Sequence, residues 1–525
     1  MSNIQSRSFV VLIILLIFIG VVTRLEPLQD EQRMLKSVSE DGYLMMTIAR
    51  NLTIGLGMST ADGTIPTNGT QPLTSFLWAG AYWLEGGDKV KSIVWIILMQ
   101  FVFATGAAFL LWRLGIQILQ HRPNSHQIAT LAAATWYASP IAVGQTMNGL
   151  ETGLYGLAVL WVAIMLVGAK AKHWSLRYSV LLGLLLGVTF WIRNDAAFLI
   201  LAVCLMYLFM GGGWQRREIF QRFVQVNVMG ITTVFVALPW LIYNQLNFGH
   251  IMPISGQAQS LTAGFGQNLF ALPSVLVEYF LVFLPIPNNL QNQLPVVLAC
   301  TVFLVGIVVM LSRLWSQLQK TEERSLFVLV SLYLLGFIGF YGLYFGASHF
   351  IGRYFFPLSP FLALLWAVVV VWAWQRVPWQ QVRYGFAVLF IMVIIGLSVR
   401  SYLKGNQHMH FQVVEWVQQH VAKDVWVGAI QTGTLGYFHD RTINLDGKVN
   451  PEALEARKKT SVIPYVIEGQ IDYLADWVGI ADWLNPDDPA ITKKQRENRR
   501  LLKQHFELIV KERQRNLAVL KRRAD

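Results

Sequence analysis

Long apolar runs separated by short polar links fill the chain up to about residue 400. Each run is long enough, and carries few enough charges, to be a membrane-spanning helix. The pattern therefore predicts an α-helical polytopic membrane protein with about eleven transmembrane helices. The runs lie at residues 9–24, 91–112, 127–146, 152–169, 178–192, 196–211, 224–244, 294–314, 325–345, 354–374 and 383–399.

Two further apolar stretches, residues 73–84 and 270–286, are too short for clear spans, and the second is flanked by Pro273, Pro285 and Pro287. Counting residues 73–84 as a span would move every later loop to the opposite side of the membrane. We therefore predict that both stretches are short surface or re-entrant helices. Irregular backbone at membrane depth is tolerated where it is buried in protein or lines a cavity.

The cations between the spans indicate the orientation. With the N-terminus inside, every cytoplasmic link is basic, as the positive-inside rule requires. The first loop, residues 25–90, and the C-terminus then lie outside. The first span, preceded by Arg7, lacks a small-residue cleavage site and predicts an uncleaved signal-anchor. The link cations are Arg113, Arg122, Lys170, Lys172, Arg177, Arg216, Arg217, Arg222, Arg313, Lys320, Arg324, Arg376 and Arg383.

The pattern changes after Arg400. Strand-like and helical stretches alternate there, which predicts a small α/β domain. The chain thus divides into a transmembrane domain, residues 1–404, and an outer α/β domain, residues 405–525. The predicted helices lie at residues 411–420 and 451–459, and the strands at residues 425–430 and 442–446. The basic tail, residues 493–523, is helix-prone at first and then strand-like around residues 506–511.

Composition supports the membrane class: 54% of the 525 residues are hydrophobic and 14% are charged. The net charge of +12 is that of many nucleic-acid-binding proteins, but the cations lie in short links between spans. We therefore expect no nucleic-acid partner. Both cysteines, Cys204 and Cys300, fall in apolar segments and predict neither a disulfide nor a metal site.

The adjacent acids Glu40 and Asp41 are the first candidates for chemistry, because ionisable groups near a membrane are functional candidates by default. Other polar residues fall at three predicted outer junctions and at the end of a predicted strand. Acids facing arginines at a lipid–water boundary fit a site for an anionic lipid head group. These further residues are Glu151, Arg193, Asp195, His349, Arg353, Tyr354 and Asp446.

Each of these residues also has a structural interpretation. Glu151 and Asp195 could cap helices or pair with Arg193 or Arg50. Arg353 could extend to lipid phosphates without specificity.

The order of the motifs resembles the GT-C fold glycosyltransferases, and in particular bacterial enzymes similar to arabinofuranosyltransferases. Protein O-mannosyltransferases and lipid A aminoarabinose transferases are more distant relatives by this resemblance. The first loop supplies Glu40-Asp41-Gly42-Tyr43, Ala49-Arg50-Asn51, Gly55-Leu56-Gly57, Thr67-Asn68-Gly69 and Gln71-Pro72-Leu73. Later matches are Gly149-Leu150-Glu151-Thr152, Arg193-Asn194-Asp195, Gly352-Arg353-Tyr354 and Asn444-Leu445-Asp446-Gly447.

The resemblance implies a bacterial inner-membrane enzyme whose site and C-terminal domain face the periplasm. It would move a sugar from a polyprenyl-phosphate donor to a hydroxyl of a glycan, lipid or protein, with arabinofuranose as one candidate sugar. Asp41 would be the general base. Glu40 would be its helper or an alternative base. Relatives often have two aspartates, whereas the first acid here is Glu40, which leaves open which carboxylate is the base.

The same resemblance assigns binding roles. Arg353 would stabilise the leaving phosphate, with Arg50 as a second candidate. Glu151 and Asp195 would line a sugar pocket, and Asn68 and Gln71 would hydrogen-bond sugar or phosphate. Arg193, His349, Tyr354 and Asp446 would complete the substrate-binding set. We expect no required metal, although a carboxylate cluster could hold a divalent cation.

Three other functions compete with this one. A lipid-linked sugar flippase or transporter would place its polar residues nearer the midplane and often carries internal repeats. A polysaccharide polymerase or ligase with a diphosphate-linked donor would need larger outer loops and another arginine arrangement. A structural assembly protein would leave the acidic pair without a role.

Overall fold

The computed structural model describes residues 3–168, 175–210, 214–315, 321–404 and 410–524. Residues 169 and 211 of the predicted spans, and the link cations Lys170, Lys172 and Lys320, lie outside these ranges.

Helices account for most of the chain up to Lys404. Those of the first half are α1 (Asn3–Leu25), α2 (Glu31–Ser37), α3 (Glu40–Thr53), α4 (Pro72–Leu84), α5 (Lys91–Leu119), α6 (Ser125–Ala138), α7 (Pro140–Thr146), α8 (Thr152–Gly168), α9 (Leu176–Ile192), α10 (Ala196–Met210) and α11 (Arg216–Phe248). A short hairpin, β1 (Ser59–Thr60) and β2 (Ile65–Pro66), precedes α4.

The second group of helices is interrupted by short irregular segments. It comprises α12 (Ile254–Ser260), α13 (Leu272–Leu281), α14 (Asn288–Gln291), α15 (Leu294–Trp315), α16 (Thr321–Phe337), a π-helical turn (Ile338–Gly342), α17 (Ile351–Phe355), α18 (Ser359–Arg376) and α19 (Gln380–Lys404).

Within the described residues, seven helices are long and apolar enough to cross a membrane by length and composition. The chain is a multi-pass membrane protein, but the count of about eleven spans is not confirmed. The helices α8, α9 and α10 coincide with predicted spans and are shorter than the usual crossing length. The predicted span at residues 127–146 is two helices.

The break in that span has a local cause. Ser139 adopts an extended conformation and its hydroxyl accepts a hydrogen bond from Ala142 N (3.2 Å), which caps α7. Pro140 follows at the first helical position, where its missing N–H costs nothing. The apolar pattern continues through the break, so hydrophobicity alone does not reveal it.

The first loop, residues 25–90, is largely helical, and the acidic pair opens α3. The Ser39 hydroxyl accepts a hydrogen bond from Gly42 N (3.1 Å), which caps the helix. Tyr43, Met46 and Ala49 are buried in a core shared with α4 and α5. Packing of this face fixes the direction in which the first turn of α3 points.

Beyond residue 410, helices surround a five-stranded mixed sheet. The strands lie in the order β4 (Thr442–Asn444), β3 (Val427–Ala429), β5 (Tyr473–Asp476), β7 (Leu517–Arg522) and β6 (Phe506–Glu512). The first three are parallel, and β7 and β6 are antiparallel to their neighbours. The helices are α20 (Phe411–His420), α21 (Gly433–Phe438), α22 (Pro451–Lys459), α23 (Ile463–Glu468) and α24 (Lys493–His505).

The helices predicted at residues 411–420 and 451–459 are confirmed at their predicted bounds, and the strands predicted at residues 425–430 and 442–446 are present in shorter form. The helix-prone and strand-like stretches of the tail are α24 and β6. The prediction missed β5 and β7, which complete the sheet by pairing with each other and with β3 and β6. The domain boundary at residue 404 and the solubility of the C-terminal part remain predictions.

The C-terminal part packs against the first loop. The Tyr82 and Tyr437 hydroxyls are 2.8 Å apart in the interior, and Lys89 donates to Asp440 at 2.8 Å at the surface. These contacts bring the carboxyl ends of the parallel strands close to the first turn of α3.

Candidate functional site

The site is built on the first turn of α3. Asn148 O, in the turn between α7 and α8, accepts hydrogen bonds from Ser39 N (2.9 Å) and the Ser39 hydroxyl (2.8 Å). A Cβ at Gly42 would come within 2.5 Å of the same oxygen, so only glycine permits this approach. The contact holds the acidic pair beside the junction that carries Glu151.

Asp41 is the centre of a group of charges that we call the Asp41 cluster. It comprises Asp41, His349, Arg353, Asp446 and Lys448. Arg353 Nη1 donates to Asp41 Oδ2 at 2.6 Å, and the two side chains are 18% and 24% exposed. Lys448 and His349 also interact with the Asp41 charge.

The cations of this cluster keep Asp41 ionised. Burial alone would raise the pKa of Asp41, but the charges of Arg353 and Lys448 outweigh it and hold the pKa below its ordinary value. Burial lowers the pKa of Lys448, but Asp446 and Asp41 outweigh that effect and raise it. Both groups are therefore charged at neutral pH.

Asp446 enters the cluster through Lys448. It follows β4, and its Oδ2 accepts an ion-paired contact from Lys448 Nζ at 3.1 Å. Its Oδ1 accepts from Lys448 N at 2.8 Å, which fixes the turn. The prediction placed Asp446 at a strand end but missed Lys448, although a lysine two residues after the acid was a visible signal.

Glu40 faces away from the cluster and holds the C-terminal part. Its carboxylate accepts hydrogen bonds from Gly433 N (2.5 Å), Thr434 N (2.8 Å) and the Thr434 hydroxyl (2.5 Å). A Cβ at Gly433 would collide with the Glu40 carbonyl oxygen. Burial raises the pKa of Glu40, although the bonds from Thr434 and Gly433 oppose that rise.

A second buried group borders Glu40. Asp476 Oδ2 accepts from Ile430 N (2.5 Å) and Gln431 N (3.1 Å) at the carboxyl edge of the sheet. Burial raises the pKa of Asp476 to about 7, and the negative charge of Glu40 adds to that rise.

Burial lowers the pKa of His410, whose ring is stacked on Trp477 at 4.7 Å, to about 4. His410 is therefore neutral at pH 7.

Deeper in the helical part lies a buried group that we call the Arg193 cluster. It comprises Glu151, Arg193, Asp195 and Tyr341. Arg193 Nη2 donates to Asp195 Oδ2 at 2.5 Å, and Arg193 Nε is 3.7 Å from Glu151 Oε1. Tyr341 donates to Asp195 Oδ2 at 2.6 Å. These side chains converge from the residue before α8, the α9–α10 turn and the π-helical turn.

The Arg193 cluster has unused hydrogen-bonding capacity. Asp195 Oδ1 and Arg193 Nη1 are buried and have no hydrogen-bond partner within the described ranges. Buried polar atoms without partners are uncommon and call for an explanation such as a bound group.

Tyr354 joins the two clusters. Its ring centre is 5.4 Å from the Arg353 guanidinium carbon and 5.3 Å from that of Arg193, and the ring is stacked on Tyr341 at 4.3 Å. The structure therefore brings together eight of the predicted site residues, and Glu40 lies next to them but faces the C-terminal part. They are Asp41, Glu151, Arg193, Asp195, His349, Arg353, Tyr354 and Asp446.

Three predicted residues lie outside this arrangement. Arg50 follows Asp41 by about 13 Å along the same helix, where it donates to Gly87 O (2.9 Å) and lies 3.7 Å from Asp440. Asn68 is fully buried and bonds Asn244 at 3.0 Å. Gln71 precedes α4, and its buried Oε1 has no partner in the part of the chain that the structure describes.

Across residues 3–168, 175–210, 214–315, 321–404 and 410–524, no group of three His, Cys, Asp or Glu side chains is arranged to hold a metal ion. The expectation that no metal is required stays a prediction. The Asp41 cluster offers an ionised carboxylate beside a guanidinium and an ammonium group, and the Arg193 cluster offers buried polar atoms without partners among the described residues.

Comparison with known proteins identifies the fold of the chain. A family model described as a domain of unknown function (DUF8728) matches residues 399–520. No curated protein matches the sequence. The solved structures include relatives by fold at low sequence identity.

ArnT from Cupriavidus metallidurans bound to undecaprenyl phosphate is similar with a TM-score of 0.58 and 11% identity, over 97% of each chain. The apo oligosaccharyltransferase of Archaeoglobus fulgidus has a TM-score of 0.55 and 12% identity, over 97% of this chain and 74% of the other. The oligosaccharyltransferase AglB of the same archaeon, in complex with an inhibitory peptide and a dolichol-phosphate, has a TM-score of 0.52. The protein therefore has the GT-C fold expected from its sequence.

Proposed function

We propose that the protein is an integral membrane glycosyltransferase that moves a sugar from a polyprenyl-phosphate donor to an acceptor hydroxyl. The observation that carries the proposal is the Asp41–Arg353 pair, which is partly exposed at the meeting point of α3, α17 and the strand ends. A carboxylate that can accept a proton lies there beside a guanidinium that can bind a phosphate.

The donor class is supported by the fold. ArnT was solved with undecaprenyl phosphate and AglB with a dolichol-phosphate, both of them long isoprenoid phosphates. Arg353 and Lys448 are the cations nearest Asp41 and suit the phosphate of such a lipid. Arabinofuranose stays one candidate sugar, on the sequence resemblance alone.

In the reaction, the acceptor hydroxyl loses its proton to Asp41 and its oxygen bonds the anomeric carbon of the sugar. The bond from that carbon to the phosphate oxygen breaks, and the electron pair leaves with the phosphate. When the phosphate pairs with Arg353, the Asp41 carboxylate loses part of its cationic partner. Its pKa then rises, which makes it a better base.

The remaining groups have supporting roles. Asp195 Oδ1 and Arg193 Nη1 are free to bond sugar hydroxyls. The three hydrogen bonds at Glu40 favour an anchoring role for it over that of a second base. We place the enzyme in a bacterial inner membrane with the Asp41 cluster on the periplasmic side, following the basic cytoplasmic links.

The test is transfer or release of sugar by the purified full-length protein from a panel of radiolabelled polyprenyl-phosphate sugars. We expect Asp41→Asn to reduce turnover by at least about 100-fold, the range for loss of a general base. Asp30→Asn is the matched control, because Asp30 caps α2 and asparagine caps equally well. We expect turnover to persist in EDTA.

Wild-type turnover in Asp41→Asn would contradict the role of Asp41. Absence of turnover with every donor, together with lipid binding, would contradict the transferase and favour a lipid-linked sugar flippase.

A further inference from the structure

A cavity of about 550 Å³ lies at the carboxyl edge of the sheet, and Asp446 is the one residue that it shares with the Asp41 and Arg193 clusters. Ile430 and Leu445, which directly follow β3 and β4, form part of its wall. Ligands of open α/β sheets commonly bind beyond the carboxyl ends of the parallel strands. The volume lies within the range of small-molecule sites.

The charged lining of this cavity is mainly cationic. Arg457, Lys458 and Arg499 line it, and Asp446 is the one carboxylate among its lining residues. Arg499 is 3.2 Å from Asp488 and Lys458 is 2.7 Å from Glu455, neither of which lines the cavity.

Among the cations that line the cavity, Arg457 has the most hydrogen-bond donors available for a ligand. One of its nitrogens donates to the main-chain oxygen of Asp446, and within the described ranges no carboxylate forms an ion pair with it. The guanidinium of Arg457 thus lines the cavity and has donors available for an anion. An arginine in this position suits a planar or tetrahedral oxyanion.

Other lining residues suit a sugar. The Thr460 and Ser461 hydroxyls and the partly buried Trp483 are part of the wall. An aromatic face with nearby hydroxyls can contact both the apolar and the polar side of a pyranose ring.

Asp446 connects the cavity to the proposed reaction site. It lines the cavity, and it also holds Lys448, which interacts with Asp41. A ligand in the cavity is therefore connected to the proposed base through the ion pair between Asp446 and Lys448.

We propose that this cavity is an acceptor subsite that binds a saccharide bearing a phosphate or carboxylate group, with Arg457 and Lys458 as the anion-binding residues. Its role as an acceptor subsite rests on the proposed glycosyltransferase function. The binding itself follows from the cavity and its cations.

The experiment is saturation-transfer NMR on the purified full-length protein in phosphate-free detergent. The probes are glucose 6-phosphate, glucuronate and glucose, which separate a phosphate, a carboxylate and a neutral saccharide. We expect at least one anionic probe to bind about tenfold more tightly than glucose, since charge-assisted hydrogen bonds are the stronger ones.

Neighbouring lysines of α22 provide matched variants. Lys458 lines the cavity and Lys459 does not, and both are exposed. We expect Lys458→Gln and Arg457→Gln to weaken binding of the anionic probe by about tenfold, and Lys459→Gln to bind it nearly as wild type does. Arg457→Lys should weaken binding less than Arg457→Gln, because it keeps the charge but loses the planar guanidinium. Lys458→Gln keeps the test valid if Arg457→Gln fails to fold.

Equal binding of the three probes, or unchanged anion binding in both Arg457→Gln and Lys458→Gln, would overturn the proposal. The second result would place the anion elsewhere, for example at Arg353. Measuring transfer and anion binding on the same wild-type protein separates the two proposals, and Asp41→Asn should lose transfer while it keeps anion binding. Anion binding by a wild-type protein that transfers no sugar from any donor contradicts the function but not the site, and wild-type transfer without anion binding does the reverse.

Discussion

Two arginine–carboxylate pairs lie on either side of Tyr354, and their surroundings differ. Arg353 and Asp41 are 18% and 24% exposed, and their neighbours come from the helical part and from the loop after β4. Arg193 and Asp195 are 2% and 8% exposed and are enclosed by Tyr155, Tyr341 and Tyr354.

The difference in exposure suits the two arginine–carboxylate pairs to two different roles. A partly exposed pair can exchange its partner for a substrate anion at low cost, because water and nearby charges replace what is lost. A buried pair has no such replacement, so removing one member leaves an uncompensated charge. We therefore assign ligand exchange to the Asp41 cluster and fixed positioning to the Arg193 cluster.

The largest expected effect comes from breaking the two pairs separately. Arg193→Gln should destabilise the protein by about 3–5 kcal/mol, because Asp195 and Glu151 are left buried without their cation. Arg353→Gln should destabilise the protein less than Arg193→Gln does, because the Asp41 pair is more exposed and Lys448 also faces Asp41, but it should lower sugar transfer by about 100-fold, as loss of a phosphate-stabilising donor does. Unfolding by SDS in mixed micelles and the transfer assay measure the two quantities. Equal destabilisation by both variants would remove the distinction.

A smaller effect should follow from releasing the C-terminal part. Glu40→Gln replaces one of the oxygens that accept from Gly433, Thr434 N and the Thr434 hydroxyl by an amide donor. We expect a loss of about 1–3 kcal/mol and faster proteolysis within the C-terminal part. Glu31→Gln, at an exposed position of α2, is the control. Wild-type protease resistance in Glu40→Gln would show that Glu40 is not the anchor.

The smallest effect is a pH dependence. The pKa of Asp476 is about 7 in the folded state and about 4 in an unfolded chain. The folded state therefore holds more protons between these values, and stability falls as pH rises from about 4 to about 7. Unfolding of the C-terminal part at pH 4.5 and pH 8 measures this slope. Asp476→Asn should make it shallower, with the exposed Asp487→Asn as control, and an unchanged slope would assign it to other groups.

Much of the fold followed from hydrophobic patterning. Long apolar runs and basic links indicated the membrane class, and the bounds of α20 and α22 followed from the helical patterns at residues 411–420 and 451–459. The break at Ser139–Pro140 and the strand β5 were missed, since one lies inside a continuous apolar run and the other becomes a strand only by pairing.

For the candidate site, the sequence by itself determined which residue types are present and that acids and arginines recur where apolar runs end. Neighbouring side chains on a helix point about 100° apart, so Glu40 and Asp41 must meet different surroundings. Only the tertiary structure decided that Asp41 faces Arg353 and Glu40 faces Gly433. It also separated Arg50 from the Asp41 cluster and added Lys448 to it. Contacts between residues hundreds of positions apart depend on how helices and strands pack, and no local pattern encodes that packing.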